Sequence, residues 1–221
     1  MKTFIPSIVL NSLFLSLLLA CAGRWNYWPA WVYVITSLLM SLLTRLALRG
    51  NQELLNERNK PKPNTKAWDK KLLGVGFLLT LVMLVIAGLD AGRLHLRPIL
   101  TWRYFAVGLL MNLLGMGLFL LALKENRFFS SVVRIQSERG HTVCSTGPYR
   151  LVRHPGYTGM IVGTLGIPLL LMSAWGAIPA LLFVVVLIVR TKLEDLVLLE
   201  ELAGYRDYSQ STRYRLIPGV W

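Results

Sequence analysis

The chain has 221 residues, of which 54% are hydrophobic and only 16% are charged, and its mean hydropathy is +0.53. This composition excludes an ordinary water-soluble domain, because several runs reach the roughly 20 apolar residues that a helix needs to cross a bilayer. The net charge of +13 would also suit a nucleic-acid-binding protein. The basic residues lie in short segments between apolar runs, however, where anionic lipid headgroups explain them better.

The apolar runs predict an all-α, polytopic transmembrane bundle of about six helices, since a barrel would show short alternating segments instead. The first four helices are predicted at residues 4–22, 30–48, 72–89 and 102–123. The last apolar stretch, 156–189, is too long for one straight span. Ser173-Ala174-Trp175-Gly176 interrupts it, which predicts a helical hairpin whose second arm continues as an amphipathic helix to about residue 203. The pattern leaves open six spanning helices or five with a re-entrant hairpin.

No internal repeat divides the chain, so residues 1–221 are interpreted as one membrane domain. Residues 1–123 would supply the N-terminal transmembrane helices. Residues 124–221 would form the catalytic portion, with a connecting loop, the hairpin, the amphipathic C-terminal helix and a basic tail.

The first helix ends in Leu18-Leu19-Ala20-Cys21, which faintly resembles a bacterial lipoprotein signal. Lys2 alone makes a thin positive region, so we expect a first transmembrane helix rather than a cleaved segment. Neither Cys21 nor Cys144 lies in a metal-ligand cluster, and neither a metal site nor a disulfide framework is predicted.

The basic residues also predict the orientation of the chain. With the N-terminus inside, 20 of the 24 lysines and arginines are cytoplasmic, and the four outside are Arg24, Arg93, Arg97 and Arg103. This asymmetry follows the positive-inside rule and places both termini in the cytoplasm, as for a multi-pass protein of a prokaryotic cytoplasmic membrane. Membrane lipids are the expected surroundings, and nucleic acid is not an expected partner.

A polar motif, residues 147–159, begins the hairpin. Gly147-Pro148 indicates a turn, and Pro155 suits the first turn of a helix with His154 at its cap. The free N–H groups at such a helix start favour a carboxylate or phosphate, and Arg150 and Arg153 add positive charge. From these residues alone, a charged loop that anchors a membrane helix is an equal alternative.

A second polar cluster follows the hairpin. Arg190 and Glu194 are four residues apart and share a helix face, which by itself is typical of a solvated juxtamembrane helix. The hairpin, however, returns this helix to the membrane face at which its first arm began. Topology therefore predicts that Arg190, Glu194 and Asp195 meet His154 and Tyr157 around one cavity. The tyrosines and arginines of the tail, 204–221, are expected at the headgroup level.

Taken together, four motifs carry a family resemblance. They are Gly-Pro-Tyr-x-x-Val-Arg-His-Pro-x-Tyr-x-Gly, the acidic pair Glu194-Asp195 with Leu198 three residues later, Tyr-x-x-Tyr, and Arg-Leu-Ile-Pro-Gly. In this order they resemble the isoprenylcysteine carboxyl methyltransferase family and, more distantly, the phospholipid N-methyltransferases. The resemblance covers residues 126–221, whereas the first hundred residues match only as membrane helices. It implies a membrane enzyme that uses S-adenosylmethionine, with a cofactor site built from the ends of the last helices.

The resemblance assigns roles residue by residue. The implied cofactor-binding residues are Tyr149, Arg153, His154, Tyr157, Glu194 and Asp195, and the implied catalytic residues are Arg190 and Glu194. Arg190 matches the arginine expected to hold a substrate carboxylate. Asp195 departs from the family, which more commonly has a second glutamate. Gly115-Met116-Gly117 resembles a cofactor element of the phospholipid enzymes, but in a membrane helix it is more typical of close helix packing.

The resemblance implies a lipophilic, isoprenylcysteine-like acceptor, and the residues favour O-methylation of its carboxylate. A carboxylate is already ionised at pH 7 and needs an arginine to position it, whereas an amine must first lose a proton. Three alternatives remain open: N-methylation of a phosphatidylethanolamine-type lipid, an NADPH-dependent oxidoreductase similar to sterol reductases, and a catalytically idle membrane scaffold. The partners implied are a lipophilic or lipidated substrate and membrane lipids.

Overall fold

The computed structural model describes residues 5–59, 65–96 and 98–221, and these residues form an all-helical bundle without strands. Its helices are α1 Ile5–Ala22, α2 Trp28–Ala47, α3 Gln52–Asn59, α4 Ala67–Ala87, α5 Trp102–Glu125, α6 Pro155–Leu170, α7 Ala177–Glu201 and α8 Tyr205–Ser211; α4 continues as a π-helical turn, Gly88–Leu94. Lys2, Arg97 and residues 60–64, which the charge count used, lie outside the described residues.

Four of the described helices are long and apolar enough to cross a bilayer: α1, α2, α4 with its π-helical turn, and α5. They confirm the first four predicted spans. The predicted hairpin is confirmed as α6 and α7, which are joined by a turn at residues 171–176.

The hairpin turn is fastened to the far end of the bundle. The Asp90 carboxylate, at the end of α4, accepts hydrogen bonds from Ser173 Oγ at 2.6 Å and from the Trp175 N–H at 3.2 Å. The Tyr27 hydroxyl donates to the carbonyl of Leu171. At the other end, Arg190 pairs with Asp69 and Lys66 pairs with Glu201, which joins the start of α4 to the end of α7. The hairpin thus runs the length of the bundle.

Two short helices, α3 and α8, lie in segments where only polar chain was predicted. Asn51 Oδ1 accepts the N–H of Leu54 at 3.1 Å and caps α3, while the Leu54 side chain is buried against Leu123. In α8, Tyr205 and Tyr208 are buried. The expected headgroup position is therefore wrong for these two tyrosines, which instead pack into the cavity end of the bundle.

The α5–α6 contact explains the Gly-x-Gly element. A Cβ atom built on Gly115 would lie 2.5 Å from the carbonyl oxygen of Gly159 and from the N–H nitrogen of Gly163, whereas one on Gly117 would meet nothing within 4 Å. The two helix backbones approach too closely at Gly115 for any side chain. This geometry supports the close-packing interpretation of Gly115.

We expect Gly115→Ala to lower the stability of the protein by about 1–3 kcal/mol, because the added methyl group must push two helix backbones apart. Gly117→Ala is the matched control and should leave stability nearly unchanged. Thermal unfolding of both variants in the same detergent measures the difference. Equal melting temperatures for the two variants would contradict the packing argument.

Candidate active site

A cavity of about 250 Å³ opens at the end of the bundle opposite the hairpin turn. Its walls come from α3, α4, the end of α5, the start of α6, the end of α7 and α8, together with residues 126–154 between α5 and α6, here called the connecting segment. Six of the seven site residues predicted from the sequence line it: Tyr149, Arg153, His154, Tyr157, Arg190 and Glu194. Asp195 does not.

Asp195 is fully buried behind the cavity wall. Its carboxylate accepts two hydrogen bonds from Arg153, both at 2.8 Å, one from the Tyr205 hydroxyl at 2.8 Å and one from Arg215 at 2.7 Å. His154 Nε2 lies 3.1 Å from the same group. Burial alone would raise the pKa of Asp195, but hydrogen bonds from His154 and Arg153 hold it well below its usual range. Asp195 is therefore an ionised anchor for cavity residues.

The tail holds the start of α6 through backbone atoms. The N–H groups of Arg153 and His154 donate to the carbonyls of Tyr214 and Arg215, both at 2.9 Å, and Thr158 Oγ1 donates to the carbonyl of Leu216 at 2.8 Å. His154 occupies the N-cap position and Pro155 begins the helix, as the sequence predicts.

The start of α6 offers fewer free donors than a typical helix start. The N–H of His154 is used by the tail, and those of Tyr157 and Thr158 donate to the His154 carbonyl at 3.0 and 3.2 Å. Pro155 has no N–H. Charged side chains, rather than this helix start, are consequently the stronger candidates for holding an anion in the cavity.

Arg190 and Glu194 lie on one wall of the cavity, each with a fixed orientation. Arg190 Nε donates to Asp69 Oδ1 at 2.7 Å, and its Nη2 donates to Asp69 Oδ2 at 3.3 Å and to the Ser131 carbonyl at 3.0 Å. The Arg190 guanidinium lies 5.2 Å from the centre of the Tyr157 ring. The Tyr157 hydroxyl donates to the Glu194 carboxylate.

Asp69 is a residue of this site that the sequence interpretation missed. It is fully buried at the start of α4, and its Oδ2 also accepts the N–H of Val133 at 2.8 Å. It is 121 residues from Arg190 along the chain, so no local pattern relates the two. An acidic residue in the first turn of a helix is usually explained by the helix dipole alone.

Tyr149 lies at the cavity floor. Its hydroxyl is 3.4 Å from both Asn126 Nδ2 and the Ala122 carbonyl, and its own carbonyl accepts from the Tyr208 hydroxyl at 2.7 Å. Burial raises the pKa of Tyr149 well above its usual range. The phenol is therefore neutral at physiological pH.

His141 completes the wall formed by the connecting segment. Its ring lies against that of Phe128 with centroids 4.6 Å apart, and its Nδ1 accepts the N–H of Gln136 at 3.4 Å. Burial, with the nearby Arg139 and Arg134, lowers the pKa of His141 to about 4. The imidazole is therefore neutral at pH 7. Because Nδ1 accepts a hydrogen bond, Nε2 carries the proton.

His141 should make stability depend on pH. Its folded pKa of about 4 is below the value of 6.5 for an unperturbed histidine, so unfolding takes up a proton as the pH falls from 6.5 to 4. We expect this residue to reduce the free energy of unfolding by up to about 3 kcal/mol over that range. His141→Asn keeps an acceptor but does not titrate. The stability advantage of wild type over this variant should shrink on acidification, and a constant difference would contradict the prediction.

Part of the chain matches a known protein family. Residues 106–200 match the model of the isoprenylcysteine carboxyl methyltransferase (ICMT) family. The matched region contains all seven site residues predicted from the sequence, whereas α3, Asp69 and the tail lie outside it. The resemblance drawn from the motifs is thereby confirmed, and the family is one of methyltransferase enzymes.

Two curated relatives come from rice, Oryza sativa subsp. indica and subsp. japonica. Each is described as "Probable protein-S-isoprenylcysteine O-methyltransferase" and is 37% identical to this chain over 73 residues. The alignment covers 33% of this chain and 38% of each relative. The chain therefore spans well under half of the length of the relatives that it matches.

Proposed function

We propose that this protein transfers a methyl group from S-adenosylmethionine to the carboxylate of a lipophilic, isoprenylcysteine-like acceptor. The observation that carries the proposal is that Arg190 and Glu194 line the same wall of the cavity. Both residues lie in the region that matches the methyltransferase family, and both are held by neighbouring side chains. The protein in this proposal is a multi-pass membrane enzyme whose acceptor enters from the bilayer.

The cavity residues fit S-adenosylmethionine, which, when bound, supplies the methyl group as part of a sulfonium cation. Glu194 is the one carboxylate among the described lining residues; it accepts a hydrogen bond from the neutral Tyr157 hydroxyl and forms no ion pair with a described residue. Glu194 thus suits the amine of the cofactor, while Tyr157 and Phe129 offer aromatic faces to a cation or a base. Arg153 and His154 shape the wall from behind, since Asp195 holds both.

Arg190 suits the acceptor carboxylate. Asp69 fixes its guanidinium plane through Nε and Nη2. The arginine is therefore already oriented when an anion binds, so it can align the acceptor carboxylate for reaction at a small entropic cost. A carboxylate nucleophile needs no general base. Apolar lining residues such as Phe119, Met160 and Leu198 would exclude water and accommodate the lipid part of the acceptor.

N-methylation of a phosphatidylethanolamine-type lipid is the second candidate, because a cavity-lining carboxylate such as Glu194 would also suit an ammonium headgroup. His141 argues against it. Its Nε2 carries a proton and its Nδ1 is engaged, so this neutral imidazole presents a donor rather than a base to the cavity. The family match gives no support to an NADPH-dependent oxidoreductase.

Cofactor binding and product analysis together test the proposed function. We expect the detergent-purified protein to bind S-adenosylmethionine in calorimetry and to methylate N-acetyl-S-farnesylcysteine to a base-labile ester, identified by mass spectrometry. His154→Ala should weaken cofactor binding, whereas the exposed His95→Ala at the other end of the bundle should not. Methylated phosphatidylethanolamine instead of the ester would favour the second candidate. No binding by the folded protein would contradict a methyltransferase function.

The same proposal places the cavity at the cytoplasmic face. Lysines and arginines concentrate in the segments at the cavity end, where membrane proteins carry their positive charge. Cys144 lines the cavity, whereas Cys21 lies near the C-terminal end of α1, away from the cavity. In intact cells, a membrane-impermeant thiol reagent should therefore spare Cys144 in the Cys21→Ser variant, and labelling of Cys144 from outside would contradict this orientation.

A further inference from the structure

Arg58, on α3, differs from the other arginines of the cavity wall. Three of the four lining arginines have carboxylate partners: Arg134 pairs with Glu57 and Glu138, Arg153 with Asp195, and Arg190 with Asp69. Arg58 forms no ion pair within residues 5–59, 65–96 and 98–221. All eleven aspartates and glutamates of the chain lie in those ranges, so no acidic side chain of this protein neutralises it.

The Arg58 guanidinium is partly withdrawn from water. Its Nη1 atom is buried and has no hydrogen-bond partner among the described residues, and its Cζ atom lies 5.9 Å from the centre of the Phe129 ring. Burial lowers the pKa of Arg58. Withdrawing part of a cation from water without a carboxylate partner costs a folded protein free energy. Such a residue is better explained by a ligand than by the stability of the fold.

The nearest acidic residue on α3 cannot serve as the partner. Glu57 accepts hydrogen bonds from Arg134 Nε at 3.0 Å and from Arg134 Nη2 at 2.7 Å, and a further one from Ser130 Oγ at 3.1 Å. These bonds turn the Glu57 carboxylate toward the connecting segment. The Arg58 guanidinium can therefore interact with an anion bound in the cavity.

Phe129 links Arg58 to the centre of the site. The Phe129 ring lies beside the Arg58 guanidinium on one side and, on the other, so close to Gly156 that a Cβ there would be 2.8 Å from the ring. Gly156 is in the first turn of α6, next to Tyr157. Arg58 and Glu194 thus line one cavity as a cation and a carboxylate that form no ion pair with described residues, a pattern complementary to a zwitterionic ligand.

We propose that Arg58 binds a carboxylate of the ligand in this cavity, an inference that rests on the proposed methyltransferase function. Two sources supply a carboxylate: the methionine part of the cofactor and the acceptor. Both present the same chemistry to a guanidinium, which can bind the two oxygens at once. Neither the family match, which begins at residue 106, nor the motifs of the sequence assign a role to this residue.

The test compares wild type with Arg58→Gln, Arg58→Lys and the control Arg127→Gln. Arg127 is exposed and does not itself line the cavity. Calorimetry measures the affinity for S-adenosylhomocysteine, which has the methionine-derived carboxylate, and for methylthioadenosine, which lacks it. Steady-state kinetics measures the KM for N-acetyl-S-farnesylcysteine.

Arg58→Gln should weaken the binding of either S-adenosylhomocysteine or N-acetyl-S-farnesylcysteine about tenfold to a hundredfold. Arg127→Gln should weaken the binding of neither ligand. A loss of affinity for S-adenosylhomocysteine with unchanged affinity for methylthioadenosine supports the cofactor source. Unchanged affinity with a raised KM supports the acceptor source. Arg58→Lys should recover part of either loss, because it keeps the charge but not the planar fork.

If Arg58→Gln keeps the wild-type affinity for S-adenosylhomocysteine and the wild-type KM for N-acetyl-S-farnesylcysteine, the inference is overturned and the proposed function still stands. Failure of wild type itself to bind S-adenosylhomocysteine would contradict the proposed function. The ligand-free melting temperature separates a binding role from a structural one. It should stay the same or rise in Arg58→Gln, because a partly buried charge without a carboxylate partner is removed, and a fall would overturn the inference.

Discussion

Asp195→Asn is expected to destabilise the protein by about 3–5 kcal/mol, the largest effect on stability that we predict. The substitution keeps the shape of the side chain but removes the charge that Arg153 and Arg215 share. It leaves two guanidinium groups with no compensating anion at a site where the carboxylate was fully buried. Thermal or denaturant unfolding in detergent measures the loss.

The control for this substitution is Asp207→Asn, on the exposed side of α8. It should change stability by less than about 0.5 kcal/mol. Because the folded pKa of Asp195 is lowered, its stabilising effect is present above the unfolded value near 4 and declines as the pH falls below that value. The difference between wild type and Asp195→Asn should therefore narrow in acid. If wild type and Asp195→Asn differed in stability as much at low pH as at neutral pH, the anchor role of Asp195 would be contradicted. An Asp195→Asn variant as stable as wild type at neutral pH would contradict it too.

Glu194→Gln is expected to lower kcat/KM by roughly 100-fold, the largest effect on activity that we predict. A charge-assisted hydrogen bond contributes about 1.5–3 kcal/mol, and each 1.4 kcal/mol corresponds to a factor of ten. Glutamine can still accept the hydrogen bond from Tyr157, but it cannot neutralise a cationic ligand. The loss should therefore be accompanied by weaker binding of S-adenosylmethionine, with little change in melting temperature.

Glu200→Gln provides the matched control, because Glu200 is an exposed residue of the same helix that does not line the cavity. It should retain wild-type activity and affinity. Undiminished activity in Glu194→Gln would show that Glu194 takes no part in binding or catalysis. Inactivation together with a large drop in melting temperature would mean that Glu194, like Asp195, mainly supports the fold.

Local signals in the sequence were sufficient for much of the fold. Pro155 fixes a helix start because its missing N–H is not needed there. Ser173-Ala174-Trp175-Gly176 divides an apolar run that is too long for one straight helix. The helix α3 escaped prediction because it is short and polar. Its stability depends on tertiary contacts, such as the burial of Leu54, which no window of eight residues reveals.

The site was predictable only in part. Glu194 and Asp195 were treated as a pair, yet neighbouring residues on a helix of 3.6 residues per turn point about 100° apart. One faces the cavity and the other the interior, a division that helix geometry alone could have foreseen. The contact between Asp69 and Arg190 and the exposure of Arg58 to the cavity depend on how distant helices pack, which periodicity does not encode.

The hydrogen bonds from Arg153 and His154 to the carbonyls of Tyr214 and Arg215 bear on the order in which the site forms. A ribosome makes the chain from its N-terminus, and the earlier parts of a chain fold first. The start of α6 is therefore made before the segment that fastens it. The cavity wall should reach its final form only after Arg215 has left the ribosome and reached Asp195.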